Sequence, residues 1–423
     1  MLGMILKKIR HYNWIYSNNI KEFIEIYRME NVRIFAKTIE QEAKEQIKRM
    51  AASEAYRDCK IRIMPDCHAG KGCTIGTVIQ TAGKVVPNTV GVDIGCGMLV
   101  VQLGKKDVNL SLLDRIINES VPSGFDVHEQ SQLKEMSPFM PRLLTDLHER
   151  TQGCFDRDYI ERSLGTLGGG NHFIELNEDE QGCKYLVIHS GSRNLGVKVC
   201  NYFQHLAQKN VSHREERKRI IEDLKRYGLE REINNTLRRL VPVPLDLAYL
   251  EGEDLNAYNF AAHVCQDFAY ENRWNIAMTI LRGLELRFED FFNTSHNYFN
   301  IHSGIIRKGA VRAEKDEQLI IPLNMRDGSL ICRGKGNEDW LCSAPHGAGR
   351  FMSRAKSRET LTMEEYSKEM QGIYSTSVCE STIDESPMAY KSAEEIESLI
   401  GDTVEVVKRI KPIYNFKAKE QRT

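Results

Sequence analysis

Apolar and polar positions change period several times along the chain, and each change predicts an element. From Thr38 to Ala52 the residues Ile39, Ala43, Ile47 and Met50 recur at three- and four-residue steps, one face of a helix. Thr38 with Gln41 three residues later predicts a capping box at its start. Shorter runs with apolar and β-branched residues follow: KIRIMPD, TIGTVIQT, MLVVQL, HFIEL and YLVIH. These read as strands, so the first two-fifths of the chain is expected to be rich in strands and loops. From about Leu195 to Phe288 the period becomes helical, first in the charged run HREERKRIIEDLKRYGLEREINNTLRRL and then in AYNFAAHVCQDFAYENRWNIAMTILRGL. Strand signals return at LIIPL and SLICRG, and from about Ser357 the chain is expected to be helical again and to end in a basic tail. The expected fold is mixed α/β, a central β-sheet core flanked by helices. Residues 1–30 are expected to form an N-terminal extension of helical character, residues 31–423 one unit, and residues 195–290 a mostly helical insertion.

Composition narrows this little. A chain of 423 residues with 41% hydrophobic and 28% charged content is long enough for a large core and ordinary for a globular protein. The net charge of −1 gives no global basic field that would advertise nucleic acid, although a local groove can hide in a neutral total. The charged helical run is expected to be a solvated face. Eleven cysteines without secreted-type spacing suggest a reducing compartment. The apolar run at the N-terminus is too short for a signal segment, and no window approaches a membrane span. The expected location is the cytoplasm.

The candidate chemistry starts at VGVDIGCGM, which sets Asp93 and Cys96 three apart among Gly91, Gly95 and Gly97. Read alone, this segment fits a glycine-rich turn with a buried structural cysteine as well as it fits a cation site. Four histidines in polar or glycine-rich settings shift the balance: His172 in GTLGGGNHFIEL, His189 in VIHSGSRNLG, His296 in NTSHNYF and His346 in CSAPHGAGRFMSR. Neutral imidazole is a common metal ligand. Asp93, Cys96, His172, His189 and His296 would suffice for two neighbouring cations, with the Cys96 thiolate as the natural shared ligand. No paired CxxC motifs occur at zinc-finger spacing. His346 has no acidic neighbour in sequence and can be a ligand, a base or a nucleophile. Arg193 follows His189, and Arg350 and Arg354 follow His346, all in glycine-flanked loops. Arginine forks match phosphate oxygens, so these loops suit phosphate handling.

The motifs MPDCHAGKG, VGVDIGCGM, GTLGGGNHFIEL, HSGSRNLG, SHNY, RKGAV, RGKGNEDW, HGAGRFMSR and AYK stand in this order between about Glu30 and Lys417. In this the sequence resembles the RtcB-type RNA-splicing ligases. The resemblance implies a manganese-dependent, GTP-consuming ligase with two Mn2+ per chain. It implies substrates that are RNA ends, a 3′-phosphate or 2′,3′-cyclic phosphate and a 5′-hydroxyl. It places Asp93, Cys96, His172, His189 and His296 on metal-ligand positions and His346 on the guanylylated histidine. Asn171, Glu175, Ser329, Tyr390 and Lys417 fall on nucleotide-contacting positions, Ser329 in a loop before the nucleophile. Arg193, Arg350 and Arg354 fall on positions suited to phosphate or RNA ends, whereas His302 falls on no ligand. An archease-like activator, a monomeric state and no membrane contact complete the expectation.

Two departures touch the nucleotide pocket. The family's PGSMG loop reads Pro322-Leu323-Asn324-Met325-Arg326 here, and Lys417 is followed by Ala418 where a glycine is usual. They put GTP preference in question more than reaction type. The rival readings are a binuclear phosphoesterase, a 3′-end capping enzyme and an RNA-binding protein with a structural metal.

Overall fold

The computed structural model describes residues 30–211, 214–237 and 243–419. The expected N-terminal helical extension lies, apart from Glu30, outside the described residues.

The strands in chain order are β1 (Val32–Ile34), β2 (Lys60–His68), β3 (Ile75–Gln80), β4 (Gly97–Gly104), β5 (Phe173–Glu178), β6 (Lys184–Ser190) and β7 (Asp290–Ser295). They continue with β8 (Asn297–Asn300), β9 (Ile305–Lys308), β10 (Ala310–Arg312), β11 (Gln318–Asn324), β12 (Gly328–Gly334), β13 (Ser343–Pro345) and β14 (Val404–Phe416). One sheet runs β1-β2-β3-β9-β8 and a larger one β11-β12-β14-β5-β6-β4-β7, with β10 and β13 paired between themselves. The β1–β2 pair is parallel, and the other strand pairs are antiparallel. The fold is mixed α/β, as the alternation of strand and helix periods predicts.

Every strand read from the sequence is present. The helix expected from Thr38 begins at Gln41, and its face of Ala43, Ile47 and Met50 is buried, with Ile47 and Met50 each contributing roughly 1.5–3 kcal/mol. The capping box at Thr38 does not form. Glu40 is the N-cap residue and gives no side-chain cap. Tertiary contacts take over instead: the Thr38 carbonyl accepts from Lys391 Nζ at 3.0 Å, and Glu40 Oε1 accepts from the Ala69 N–H at 2.7 Å.

The larger correction is at the C-terminal end. The segment expected to be helical carries helices at Arg354–Thr360, Met363–Glu369 and Ala393–Ile400, and then the 13-residue strand β14. That strand joins β12 to β5 at the middle of the large sheet. Its sequence, VEVVKRIKPIYNF, hides a strand because charges and Pro412 interrupt the alternation; a register shift between Pro412 and Tyr414 absorbs the proline. Helices Leu110–Ser120, Met140–Arg150 and Arg157–Ser163 also fall where strands and loops were expected. The side chains of Asn109 and Asp156 cap the first and third of them.

The 32-residue helix Gly252–Gly283 buries Tyr258, Val264, Cys265 and Phe268 in one apolar cluster and Ile276, Ala277 and Ile280 in another. A helix apolar on most sides has to lie inside, and this one backs the large sheet at β4 and β6.

Candidate active site

Four of the metal-ligand candidates converge because their strands are neighbours. His172 immediately precedes β5, His189 lies in β6 next to its C-terminal end, Cys96 immediately precedes β4 and His296 follows β7. In the sheet these strands are consecutive, β5-β6-β4-β7, and His189 stands opposite both Phe173 and Met98. Antiparallel order brings all four residues to one edge. Gly97 permits the approach of β7, since a Cβ there would collide with the Thr294 carbonyl.

At this edge Cys96 Sγ lies 3.5 Å from His172 Nε2 and 3.3 Å from His189 Nε2. His189 Nε2 lies 3.3 Å from His296 Nε2, and His172 Nε2 lies 3.0 Å from Asp93 Oδ2. The Nδ1 atoms of His172 and His189 face the carbonyls of Leu167 and Asn171 at 2.9 and 3.1 Å, so Nδ1 donates and Nε2 keeps its lone pair. Burial, then neighbouring histidines, pushes the pKa of His189 and of His296 well down, which favours neutral imidazoles. Burial and the Asp93 charge push the Cys96 thiol well up. Several acceptor atoms at this spacing repel one another unless a cation lies between them. Two donor triplets are present, Asp93–Cys96–His172 and Cys96–His189–His296, and they share Cys96. The set suits a borderline divalent cation.

Two adjacent residues that the sequence reading passed over clasp this edge from the long helix. Asn272 Oδ1 accepts from the N–H groups of Gly165 and Thr166 at 2.8 and 3.1 Å, and its Nδ2 donates to Thr166 O, Ser190 Oγ and Gly191 O. Arg273 donates to Gly95 O, Ser190 O and Asn293 Oδ1 at 2.7–2.9 Å. Both are fully buried. Burial lowers the Arg273 pKa to about 10, so the guanidinium stays charged.

His346 follows β13, and its ring lies 4.9 Å from that of His296 between centroids. It has the carboxylate neighbour that its sequence surroundings lack. Asp66, fully buried on β2, places Oδ2 2.6 Å from His346 Nδ1 and accepts the His346 backbone N–H at 3.1 Å. The one signal that pointed to it was an acid inside an apolar strand pattern. Gly349 allows this approach: its φ is +73°, and a Cβ there would collide with the Asp66 carbonyl.

His346 opens on a cavity of about 580 Å³ whose walls include Asn171, Phe173, Glu175, Tyr390 and Lys417. Burial pushes the Glu175 carboxyl up to about 7, against the pull of Asn177, Asn415 and Lys417. Lys417 is no tail residue: it is buried, and its Nζ lies 2.7 Å from Glu385 Oε2. Tyr390 donates its hydroxyl to the same oxygen at 2.7 Å. Burial raises Glu385, but the charges of Lys417 and Arg354 hold it at about 2.

Arg350 and Arg354 line this cavity, yet both forks are already engaged. Arg350 pairs with Glu385 at 3.3 Å and donates to Asp384 O at 2.7 Å; Arg354 pairs with Asp384 at 2.5 Å and Glu385 at 2.7 Å. Arg193 donates to Thr166 Oγ1 and Gly124 O beside the Asp93 loop. Ser329 stands apart from the other nucleotide candidates. It lies in β12 and not in a loop, is fully buried opposite Pro322 and Ile410, and does not line the cavity. The variant loop does line it through Pro322, Leu323, Asn324 and Met325. Asn324 folds back, donating to Asp327 Oδ2 and accepting from the N–H groups of Arg326 and Asp327. His302 is exposed in the turn after β8.

Among the described residues no helix is long and apolar enough to cross a membrane. The family model described as tRNA-splicing ligase RtcB matches residues 46–418. The chain is 34% identical over 391 residues to the RNA-splicing ligase RtcB of Escherichia coli (strain K12), covering 84% of this chain and 88% of that protein. It is 26% identical over 498 residues to the tRNA-splicing ligase RtcB of Archaeoglobus fulgidus, covering 97% and 98%.

Proposed function

We infer the chemistry of this cleft from one premise: the chain belongs to the RtcB family, and it is an RNA ligase. The reading is a manganese- and GTP-dependent enzyme that joins an RNA 3′-phosphate, or a 2′,3′-cyclic phosphate, to a 5′-hydroxyl. The observation that carries it is the adjacency of two donor triplets sharing Cys96 to a histidine held by a buried carboxylate.

In this reading Asp93, Cys96 and His172 hold one Mn2+, and Cys96, His189 and His296 hold the other. Such a pair supplies neutralisation of phosphate oxygens and orientation for in-line displacement. Asp66 accepts the Nδ1–H of His346, which leaves the Nε2 lone pair for attack on the α-phosphate of GTP. The N–P bond forms, pyrophosphate leaves, and Asp66 stabilises the positive charge that develops on the ring. The RNA 3′-phosphate then takes the GMP from His346, and the 5′-hydroxyl displaces GMP to seal the strand. A cyclic phosphate first needs hydrolysis to the 3′-phosphate. Asn171, Glu175, Tyr390 and Lys417 enclose the guanosine, supported by their place on the cavity wall. Arg193, Arg350 and Arg354 serve phosphates, the last two by exchanging part of their pairing with Asp384 and Glu385 for phosphate oxygens. Ser329 has no support for a nucleotide contact, since it is buried away from the cavity. All eleven cysteines are unpaired, which supports a cytoplasmic setting. A monomeric state and an archease-like activator belong to the same reading.

Incubation with Mn2+ and α-labelled GTP tests it. The protein retains acid-labile, alkali-stable label, and His346→Ala abolishes the label while keeping its metal. A phosphoesterase would retain none. Label on the His346→Ala protein, or loss of metal from it, would sink the assignment.

A further inference from the structure

Two phenylalanines stand in solvent, one on the wall of the cleft and one on a turn that touches its glycine loop. Phe125 exposes 95% of its surface and Phe351 67%. Large apolar rings left in water forgo the stabilisation of burial, so a pair beside one site calls for an occupant.

Neither ring hangs from a loose segment. The Phe351 backbone N–H donates to the Ala389 carbonyl at 2.9 Å. The Phe125 carbonyl accepts from the Tyr159 hydroxyl at 3.2 Å. Its neighbour Gly124 donates to Gly168 O at 3.0 Å and accepts from Arg193 at 3.0 Å.

Their positions follow from the glycine loop that delivers Asn171 and His172. A Cβ on Gly169 would stand 3.7 Å from Gly124 Cα, and one on Gly170 would stand 3.6 Å from Arg354 Nη2. The loop therefore adjoins both the Phe125 turn and Arg354. Phe351, three residues before Arg354, lines the cavity of His346. Phe125 and Phe351 thus stand on two segments that both adjoin the glycine loop, the second through Arg354.

We propose that Phe125 and Phe351 are stacking platforms for the unpaired nucleobases of the two RNA ends that the cleft joins. The inference rests on the RNA-ligase reading. An enzyme that seals ends has to hold strands whose terminal bases vary. Every base has a π-face, so stacking on an aromatic ring grips an end without reading its sequence. The arginines can hold the phosphates, but a backbone contact alone leaves the last base free to swing. A ring for each strand fixes both ends.

The test measures binding of fluorescent oligoribonucleotides at one fixed salt concentration, one ending in a 3′-phosphate and one in a 5′-hydroxyl. Each is also made with an abasic terminal nucleoside. Phe125→Ala and Phe351→Ala are each expected to weaken binding of at least one end on the order of 5- to 150-fold. Phe125→Trp and Phe351→Trp should bind like wild type, and the abasic RNAs should not distinguish the alanine variants from wild type. Thermal melting controls for folding. Wild-type affinity in either alanine variant, or an equal loss on abasic RNA, overturns the proposal. So does a Phe351→Ala protein that loses GTP affinity and not RNA affinity. A wild-type protein that binds neither RNA would instead count against the ligase reading itself.

Discussion

Asp66 and His346, 280 residues apart in sequence, form a two-point contact: one carboxylate oxygen accepts both the ring Nδ1–H and the backbone N–H of the histidine. The other oxygen, Oδ1, is buried without a partner. The contact fixes the ring's tautomer and its direction. Asp66→Asn keeps the shape but offers an amide that can favour the wrong tautomer. It should slow protein–GMP formation by up to about four orders of magnitude, the scale of such a change in other histidine–carboxylate pairs. Metal content, read by elemental analysis, should not change. A variant that forms the adduct at the wild-type rate would show that Asp66 only supports the strand.

How far the site was legible in the sequence depends on which residues carried it. Asp93, Cys96 and the three histidines stood out because polar ligands in glycine-rich segments are conspicuous, and the sheet brings those four strands together. Asp66 lies inside the MPDCHAGKG motif, but a single acid in a strand gives no hint of its partner. Glu385 and the Asn272–Arg273 pair were missed for the same reason: they lie in helical stretches and act on groups far away in sequence. Among the elements, short apolar strands were plain, while β14 was hidden by its charges and its proline. Ser329 was placed in a loop, although Pro322 pairs with it across a hairpin.

Arg273 binds the carbonyls on either side of the metal edge, at Gly95 and Ser190, and lies buried with one Nη2 unpaired. It acts through backbone beside Cys96 and His189 and touches no reacting group. Arg273→Met should lower Mn2+ affinity by about 10- to 100-fold, the usual effect of losing a group that orients ligands. It should also lower the melting temperature. Arg273→Lys should recover part of the stability but less of the metal affinity, because a single ammonium cannot span three acceptors. Calorimetric Mn2+ binding checks this, and wild-type affinity in Arg273→Met would refute it.

Glu385 gathers Lys417, Tyr390, Arg350 and Arg354 around one buried carboxylate. Its pKa, held at about 2, lies below the usual carboxylate range. A depressed acid stabilises the fold above its unfolded pKa and loses that contribution as pH falls toward its folded value. The loss should therefore run from about pH 4.5 down to about pH 2. Glu385→Gln should cost roughly 3–5 kcal/mol at neutral pH, because it leaves the buried Lys417 ammonium without a carboxylate partner. Its urea midpoint should then depend less on pH in that acid window. An unchanged acid limb would mean that Glu385 is not the group that titrates there.

Glu175 behaves in the opposite way. Burial raises its pKa to about 7, so near neutrality it passes between acid and carboxylate. Its carboxyl accepts hydrogen bonds from the amides of Asn177 and Asn415, at 3.3 and 2.6 Å, and it lines the cavity where the base is placed. A carboxylate can accept from the adjacent N–H and amino groups of guanine. A neutral acid donates and accepts, which matches the ring nitrogen and amino group of adenine. Affinity for GTP over ATP should therefore rise as pH increases through about 7, and Glu175→Gln should flatten that rise. Stability should move the other way, since a raised acid favours the protonated fold and loses that advantage as pH climbs from about 4.5 through about 7. Competition between the two nucleotides, measured at fixed Mn2+ from pH 6 to 8, reads the first effect. Asn324 on the same wall has its amide engaged by Asp327, so the protonation of Glu175 is the change expected to move the base preference. A GTP-to-ATP ratio that stays constant across that range in the wild-type protein would remove Glu175 from base recognition.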